Sequence, residues 1–455
     1  MLSLLPSTIV GAGPVGCLLA IILRRQGVDV TLYEARPDLR ETSLDGGRSI
    51  NLVLTRRGLR ALAEVGLREE ILKITVPVLG RMMHDERGNL TYQPYGHSPD
   101  ECNYSVSRTV LNQRLLDAAE QAGASIHFAQ PLRDVDFARN TLTFDDQEIP
   151  FDMLFAADGA PSVVRRAMES ANLTTSSVEM MAWGYKEVSF PTNPDGSPPM
   201  ADHALHIWPR GHHFLMGLAN LDGSFTGTLY LPMEGSPSFA SLTTPDTIRS
   251  YFAQHYPDAL DLLGDFVSEI QDHPTGTLGT VRADRWAVED HTLLIGDAAH
   301  GIVPFFGQGL NSGFEDCRLL SDALTQGEDL HTTLHSFATH RKPDTDAIAD
   351  MALENFVEMS EKVADPRFLL RKKVESVLQD SFPHYRPRYA LVMYSHLPYR
   401  SAQRIGAAQG QILDELIADI DTPELLDLAQ ARTLLQTHLD PLHDALGLPL
   451  ATSLP

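Results

Sequence analysis

Residues 8–34 read TIVGAGPVGCLLAIILRRQGVDVTLYE, and this stretch decides the architecture. The β-branched run Thr8–Val10 predicts a strand. GAGPVG at 11–16 sets Gly11, Gly13 and Gly16 at GxGxxG spacing, CLLAIILRRQG reads as a helix, and VDVTLYE reads as a second strand ending on an acid. Each glycine has its own physical task. Gly11 allows a tight turn, Gly13 lets bare backbone approach a pyrophosphate, and Gly16 lets helix pack on strand. The helix N-terminus, reached through Val15, offers free N–H groups and positive dipole to phosphate. Glu34, 18 positions after Gly16, is placed to accept hydrogen bonds from ribose hydroxyls. An acid there repels the 2'-phosphate of NADP, so the site suits FAD or NAD.

Working outward, Ser107 can cap a helix RTVLNQRLLDAAEQAG, with Val110, Leu111, Leu115 and Ala118 as its apolar stripe. Arg108 falls in the first turn, where a cation opposes the helix dipole; it is either a phosphate contact or an exposed surface arginine. A buried-type run FDMLFAADGA ends on Asp158-Gly159. Much later, TLLIG precedes Asp297, followed by AAHGIVPFFGQGLNSGFEDCRLLSDAL. An acid directly after a buried strand can reach a ribityl hydroxyl. The loop Gly307-Gln308-Gly309 brings bare backbone up to a flat ring, and Leu310 and Asn311 open a helix carrying Phe314, Cys317, Leu320 and Leu324 inward. The N–H groups at that helix start would face the pyrimidine edge of a flavin, where negative charge develops on reduction. These glycines follow Pro304-Phe305-Phe306 and no strand, so they are not a second dinucleotide fingerprint. A nicotinamide cofactor must therefore visit transiently.

Size and composition agree with a globular enzyme. The 455 residues suggest about three domain-sized units, and 43% hydrophobic with 21% charged residues excludes disorder as the overall description. Against 36 Lys and Arg stand 60 Asp and Glu, a net charge of −24 that argues against a nucleic-acid partner and for solubility. An anionic nicotinamide nucleotide must then find a local basic patch, for which Arg165-Arg166 and Arg24-Arg25 are the candidates. Cys17, Cys102 and Cys317 lack CxxC or zinc spacing, so neither a disulfide framework nor a structural metal is expected, and a reducing cytoplasm fits. MLSLLPSTIV has no basic leader region, and LGLPLATSLP is too short and proline-broken for an anchor, so a soluble protein is expected.

Between about residues 174 and 285, ALHIWP, FLMGLAN and SFTGTLYLP alternate and are joined by the turns PRGHH and LDG, predicting an antiparallel meander. Arg81 in LGRMMH and Tyr95 in YQPYG lie in an otherwise apolar stretch. They either grip a carboxylate together, two parallel hydrogen bonds from the arginine and one from the tyrosine, or are a surface arginine and a half-buried core tyrosine. In PDTDAIADMALENFVEMSEKV, starting at Pro343, Ile348, Met351, Ala352, Asn355, Phe356 and Met359 share one helix face, so Asn355 is a satisfied core amide or a ligand contact. Tyr230 lines a ring pocket or simply packs in the sheet. His206, His212, His213 and His300 tempt a metal assignment, but no carboxylate stands at ligand spacing around them, and no metal is expected.

Taken together, GAGPVG with YEARP (33–37), AADGA (156–160) and GDAAHGIVPFFGQGLNSGFEDC (296–317) resemble the single-component, FAD-dependent aromatic hydroxylases. The stretches GRSINLVLTRRG (47–58), GRMMHDERGNLTYQPYG (80–96), LHIWP (205–209), ALENFVEMS (352–360) and PRY (387–389) extend the resemblance from about residue 8 to about residue 400 and narrow it to 3-hydroxylation of L-kynurenine with NADPH and O2. The resemblance implies that GAGPVG and Glu34-Ala35-Arg36 bind the ADP half of FAD. It further implies that Arg108 contacts the pyrophosphate, Leu132 the adenine side, Asp297 the ribityl chain, and Gly309, Leu310 and Asn311 the flavin ring. Asp158 matches the acid of a motif shared between FAD and NADPH, although Ala157 stands where a glycine is usual. On the substrate side it implies that Arg81, Tyr95 and Tyr389 hold the amino-acid carboxylate, that Asn355 and Glu358 face the same end, and that Phe305, Phe306 and Gln308 shape the oxygen-transfer space. No side-chain acid or base is required, because the ring amine itself donates electron density.

The expected fold is therefore α/β: a Rossmann-like FAD-binding domain (1–70, 106–175 and 286–330) with an inserted antiparallel-sheet substrate domain (71–105 and 176–285) and a C-terminal helical region (331–455). A hydroxylase of another aromatic acid, or a flavin dehydrogenase that inserts no oxygen, would fit the same cofactor motifs.

Overall fold

The computed structural model describes residues 5–41, 50–96, 98, 100–327, 329–362 and 365–447. Residues 1–4, residues 47–49 of the GRSINLVLTRRG stretch and the tail from 448 onward, on which the leader and anchor readings partly rested, lie outside the described residues.

A six-stranded sheet runs in the order Ala287–Val288, Thr292–Leu294, Met153–Ala156, Ser7–Val10, Val30–Tyr33, Ser125–His127. It is parallel except for its antiparallel first pair. Parallel strands are covered on both faces and so need continuous apolar runs; Ile9, Leu32, Leu154, Phe155 and Leu293 are fully buried. The helix Pro14–Arg25 is buried at every residue from Gly16 to Leu23, which explains its unbroken apolar run. Register pairs Val10 with both Tyr33 and Ala156, and Ala156 with Leu294. The residues that follow those strand ends, Gly11, Glu34, Asp158 and Asp297, are thereby gathered at one edge of the sheet, the edge where doubly wound folds bind ligands. The expected helix over Arg108–Gln121 is present, and the Ser107 hydroxyl accepts from the Val110 N–H.

A second, seven-stranded sheet has the order Gly276–Ala283, Ser176–Phe190, Phe225–Pro232, Phe214–Ala219, Ala204–Pro209, Gly80–His84, Leu90–Pro94. The expected meander is its centre. The strand carrying Arg81 joins Ala204–Pro209 in parallel, the one departure from antiparallel pairing in this sheet. Its two faces bury different clusters. Ile207, Phe214 and Tyr230 pack with Phe305, Phe356 and the C-terminal helices, whereas Trp208, Leu215 and Leu229 pack against the helices Pro245–His255 and Phe266–Asp272. Those two helices lie inside a segment that the sequence reading assigned to sheet alone. A three-stranded sheet of Asn51–Leu54, Asn103–Ser107 and Val76–Val78 joins residues on both sides of the expected boundary after residue 70.

The C-terminal region is helical from Leu330 onward, as the sequence reads, and its longest helix, Leu330–Val357, runs through Pro343 without a break. The Asp329 carboxylate caps it through the Thr332 N–H at 2.8 Å. Packing of Leu334 and Phe337 before the proline, and of Ala347 and Ile348 after it, carries the helix through. Among the described residues no helix is long and apolar enough to cross a membrane.

Of the histidines weighed as metal ligands, His206 and His213 are engaged by protein groups in the sheet domain. His206 Nε2 donates to the Ala201 carbonyl at 2.9 Å, so its Nδ1 accepts from His84 Nε2 at 2.8 Å, and His213 Nδ1 meets the Tyr256 hydroxyl at 2.8 Å. Burial pushes His206 down to about 4 and His213 down to about 3 from the ordinary 6.5. A base whose folded pKa is depressed binds fewer protons folded than unfolded, so its contribution is complete above about pH 6.5 and is lost as pH falls toward 4 and then 3. The urea midpoint of unfolding should therefore drop on going from about pH 7 to about pH 4.5, and an unchanged midpoint would contradict the assignment.

Candidate active site

At the first glycine turn, sterics make the sequence requirement explicit. Gly11 has φ +98°, and a Cβ there would lie 2.4 Å from the Ala157 carbonyl oxygen. A Cβ on Gly16 would lie 2.0 Å from the Gly11 carbonyl oxygen, whereas one on Gly13 would meet nothing within 4 Å. Two glycines are thus needed for packing, and the third leaves open space beside bare backbone. Val15 wedges against Gly296 and Gly313, locking the first motif to the last.

Glu34 is buried, and its carboxylate accepts from the Ala12 N–H (2.9 Å), the Arg36 N–H (2.9 Å) and Arg36 Nε (2.8 Å). Burial alone would raise its pKa, but these donors outweigh it and hold the carboxyl below the usual range. Ala35 and Arg36 are exposed. The Gln130 N–H donates to the Glu34 carbonyl at 2.9 Å, laying the segment before Leu132 beside the acid; the Leu132 side chain itself is buried. Arg108 is exposed and close enough to Asp297 to lower its pKa.

Asp158 receives the Val163 N–H at 2.7 Å on Oδ2, whereas its Oδ1 is buried with no hydrogen-bond partner among the described residues. Asp297 is accessible, yet desolvation raises its pKa, more than His300 and Arg108 offset. Both hold together for a carboxylate on the wall of a cavity. Gly309, Leu310 and Asn311 form the first turn of the helix Gly309–Gln326, so their N–H groups have no intrahelical acceptor. The Asn311 side chain is fully buried: it accepts from the Thr55 N–H (2.8 Å) and donates to the Val53 (2.7 Å) and Gly307 (2.8 Å) carbonyls, pinning the loop. An open glycine cradle, an orphaned acid oxygen, a cavity-wall acid and a bare helix start suit a flavin dinucleotide.

Beyond the Pro304–Phe306 turn lies an aromatic chamber. Phe305 stands 5.3 Å from Tyr230 and 4.6 Å from Phe356 between ring centroids, and Phe306 stacks on Tyr389 at 5.8 Å. Tyr95 and Tyr389 stack at 5.2 Å, and the Arg81 guanidinium sits 5.4 and 5.3 Å from their ring centres. Among the described residues no acidic side chain is within ion-pair distance of Arg81, and its Nε is buried without a hydrogen-bond partner. Burial works against this cation, but Tyr95, Tyr389 and Glu358 outweigh it and raise its pKa. Burial also pushes the Tyr389 hydroxyl up.

Several expected contacts are engaged otherwise. Asn355 Nδ2 donates to the Phe305 carbonyl at 2.5 Å, so this amide positions the turn bearing Phe305. Glu358 is 3.2 Å from Arg388 and half-buried. Tyr230 is buried within the sheet and stacks on Phe214 at 4.7 Å. Gln308 departs from its expected role: it is fully buried, accepts from the Tyr399 hydroxyl at 2.8 Å and donates to Met393 Sδ at 3.1 Å, so its side chain faces the C-terminal helices and not the chamber. The proposed basic patches also differ. Arg165 is buried and donates to the Ala298 and Ala160 carbonyls at 2.7 and 2.6 Å, and Arg24 pairs with Asp29 at 2.6 Å.

Residues missed in the sequence include Asn103, whose Nδ2 donates to the Tyr389 hydroxyl at 3.0 Å, and a buried ionic group beneath the flavin-side helix. There Asp316 meets His300 at 2.5 Å and Arg341 at 2.7 Å, and Glu315 meets Arg341 at 2.9 Å and Arg57 at 2.8 Å. Consecutive acids in the otherwise apolar SGFEDC run were the available signal. The absence of a carboxylate at ligand spacing around His300 was a statement about sequence, and folding supplies one.

Comparison with known proteins gives a consistent picture. A family model described as FAD binding domain matches residues 5–352. The chain is 46% identical over 442 residues to a kynurenine 3-monooxygenase of Myxococcus xanthus, covering 95% of each chain. It is 41% identical over 445 residues to the kynurenine 3-monooxygenase of Stenotrophomonas maltophilia, covering 96% of this chain and 98% of that one. Among solved structures, 2-methyl-3-hydroxypyridine-5-carboxylic acid oxygenase superposes with a TM-score of 0.66 at 18% identity over 80% of this chain and 95% of that one. PqsL of Pseudomonas aeruginosa, in complex with 2-aminobenzoylacetate, gives 0.63 at 19% over 78% and 96%. At such identities these two show the fold alone, which is the fold class expected from the sequence.

Proposed function

The chain belongs to the kynurenine 3-monooxygenase family, and on that premise we propose that it converts L-kynurenine to 3-hydroxy-L-kynurenine using FAD, NADPH and O2. The observation that carries the reading is Arg81: a guanidinium beside the stacked pair Tyr95 and Tyr389, with no carboxylate within ion-pair distance among the described residues, set in an aromatic chamber next to the flavin cradle. A guanidinium with hydrogen-bonding capacity left over can take a substrate carboxylate through two parallel hydrogen bonds.

In this reading Arg81, Tyr95 and Tyr389 take the amino-acid carboxylate, and Asn103 orients the Tyr389 hydroxyl. Glu358 supplies negative charge for the substrate ammonium. Phe305, Phe306 and the ring of Tyr230 wall the aniline ring, with Asn355 holding the Phe305 carbonyl. Gly11, Gly13, Val15, Gly16, Glu34, Ala35, Arg36, Arg108, Leu132 and Asp158 serve the ADP half and pyrophosphate, Asp297 the ribityl chain, and the Gly309–Asn311 N–H groups the edge of the ring where negative charge develops. The bound flavin supplies hydride acceptance from NADPH and oxygen activation. The chain supplies placement and exclusion of water, and no side chain acts as general acid or base. Cys17, Cys102 and Cys317 are buried and free of disulfides, which suits a reducing cytoplasm.

The test is NADPH oxidation by the flavin-loaded protein with and without L-kynurenine under labelled O2. Stimulated oxidation and a product carrying one labelled oxygen atom are expected. Stimulation by kynurenine with an unlabelled product would favour a dehydrogenase, and stimulation only by another aromatic acid would move the substrate assignment.

A further inference from the structure

Beneath the flavin-side helix, three donors from two separate segments converge on one carboxylate. Asp316 is fully buried; its Oδ2 accepts from the Gly296 N–H at 3.2 Å and from His300 Nε2 at 2.5 Å, and its Oδ1 accepts from Arg341 Nε at 2.7 Å. Gly296 and His300 bracket Asp297. They are the residue before it and the last residue of the single helical turn it begins, closed by the His300 N–H on the Gly296 carbonyl at 3.0 Å.

A turn of four residues does not hold its own shape, since nucleating a helix fixes many dihedrals for one hydrogen bond. Gly296 makes this sharper, because its φ of +61° with ψ −142° lies in backbone space that is open essentially to glycine alone. Both ends of the turn are instead tied to Asp316, which therefore sets where the Asp297 carboxylate projects. Asp316 remains an anion despite burial because His300 and Arg341 face it and hold its pKa below the usual range. Arg341 is itself fixed from the opposite side: its Nη2 reaches the Ser312 carbonyl and hydroxyl at 3.2 Å, and its Nη1 pairs with Glu315 at 2.9 Å. Arg341 belongs to the helix Leu330–Val357, so a C-terminal helix reaches the cofactor cradle through one carboxylate.

We propose that Asp316 is the positioning residue for Asp297, and that Arg341 holds Asp316 in that role. This inference rests on the reading that Asp297 faces the ribityl chain of FAD. It assigns to the FED segment a purpose beyond helix packing: loss of the Asp316 charge should cost FAD affinity through Asp297 and through no other route.

The test is a double-mutant cycle on the FAD dissociation constant, read by flavin fluorescence on the full chain stripped of cofactor and titrated back. Asp316→Asn should weaken FAD by about tenfold in the otherwise native protein and by less than about twofold in an Asp297→Ala background. Equal losses in both backgrounds, or no loss in either, would overturn the proposal. Should Asp316→Asn fail to fold, Arg341→Lys keeps the charge but not the Nε and Ser312 contacts. It should weaken FAD by at least about threefold in the native background and leave the Asp297→Ala background unmoved; an unchanged dissociation constant in the native background counts against the role. Failure of the underlying reading looks different, because there Asp297→Ala alone would leave FAD affinity unchanged.

Discussion

Replacing Arg81 with alanine is expected to raise the KM for L-kynurenine by about tenfold or more while leaving FAD bound at its native affinity. The magnitude follows from the chemistry. A charge-assisted pair contributes roughly 1.5 to 3 kcal/mol, which is about ten- to one-hundred-fold in binding. The direction follows from the geometry: the guanidinium has no acidic partner among the described residues, so its removal leaves no protein carboxylate buried and unpaired. Because Tyr95, Tyr389 and Glu358 offset the burial of this cation in the unliganded fold, a thermal melt should show a small loss at most. Arg81→Lys keeps the charge but neither the planar fork nor its contact with the Tyr95 and Tyr389 rings, and should recover only part of the affinity. Steady-state KM paired with flavin titration checks both halves. Flavin loss with unchanged KM would remove Arg81 from the substrate side altogether.

What could be read from the chain beforehand, and what could not, divides along sequence separation. The cofactor edge was legible because each motif is local and sterically forced: Gly11 must be glycine since a side chain there meets the Ala157 carbonyl, and the apolar strands before Gly11, Glu34, Asp158 and Asp297 can only be central strands. Side chains that act through partners far along the chain were not legible. Asn355 looked equally like a core amide and a ligand contact, because nothing in its helix shows that the Phe305 carbonyl, 50 positions away, takes its Nδ2. Gln308 sits in a glycine-rich loop that reads as cofactor-facing, yet Tyr399 and Met393 from the C-terminal helices draw it inward. Asp316 collects donors 16, 20 and 25 positions away, and a carboxylate in a helix carries no periodicity mark telling whether it ends in solvent or in a salt bridge. The helices Pro245–His255 and Phe266–Asp272 were overlooked because the alternation on either side set the expectation for the whole insertion.

The complementary result is expected at the other end of the cofactor. Glu34→Ala should weaken FAD by about ten- to one-hundred-fold, from the roughly 1.5 to 3 kcal/mol carried by hydrogen bonds to a charged acceptor, with the kynurenine KM at saturating FAD unchanged. The acid already accepts from Ala12 and Arg36, and these donors keep it ionised. Each carboxylate oxygen has further lone-pair capacity, so ribose hydroxyls can join without displacing them. The pair with half-exposed Arg36 contributes little to folding, but the buried Ala12 N–H loses its acceptor, so the melting temperature should fall along with FAD affinity. Because the acid also repels a 2'-phosphate, Glu34→Gln should bind FAD more tightly than Glu34→Ala, since it keeps an acceptor, while losing the discrimination against NADP at this cradle. A flavin dissociation constant equal to the native one in Glu34→Ala would show that the ribose is held elsewhere and that the acid serves only to brace the Ala12 turn.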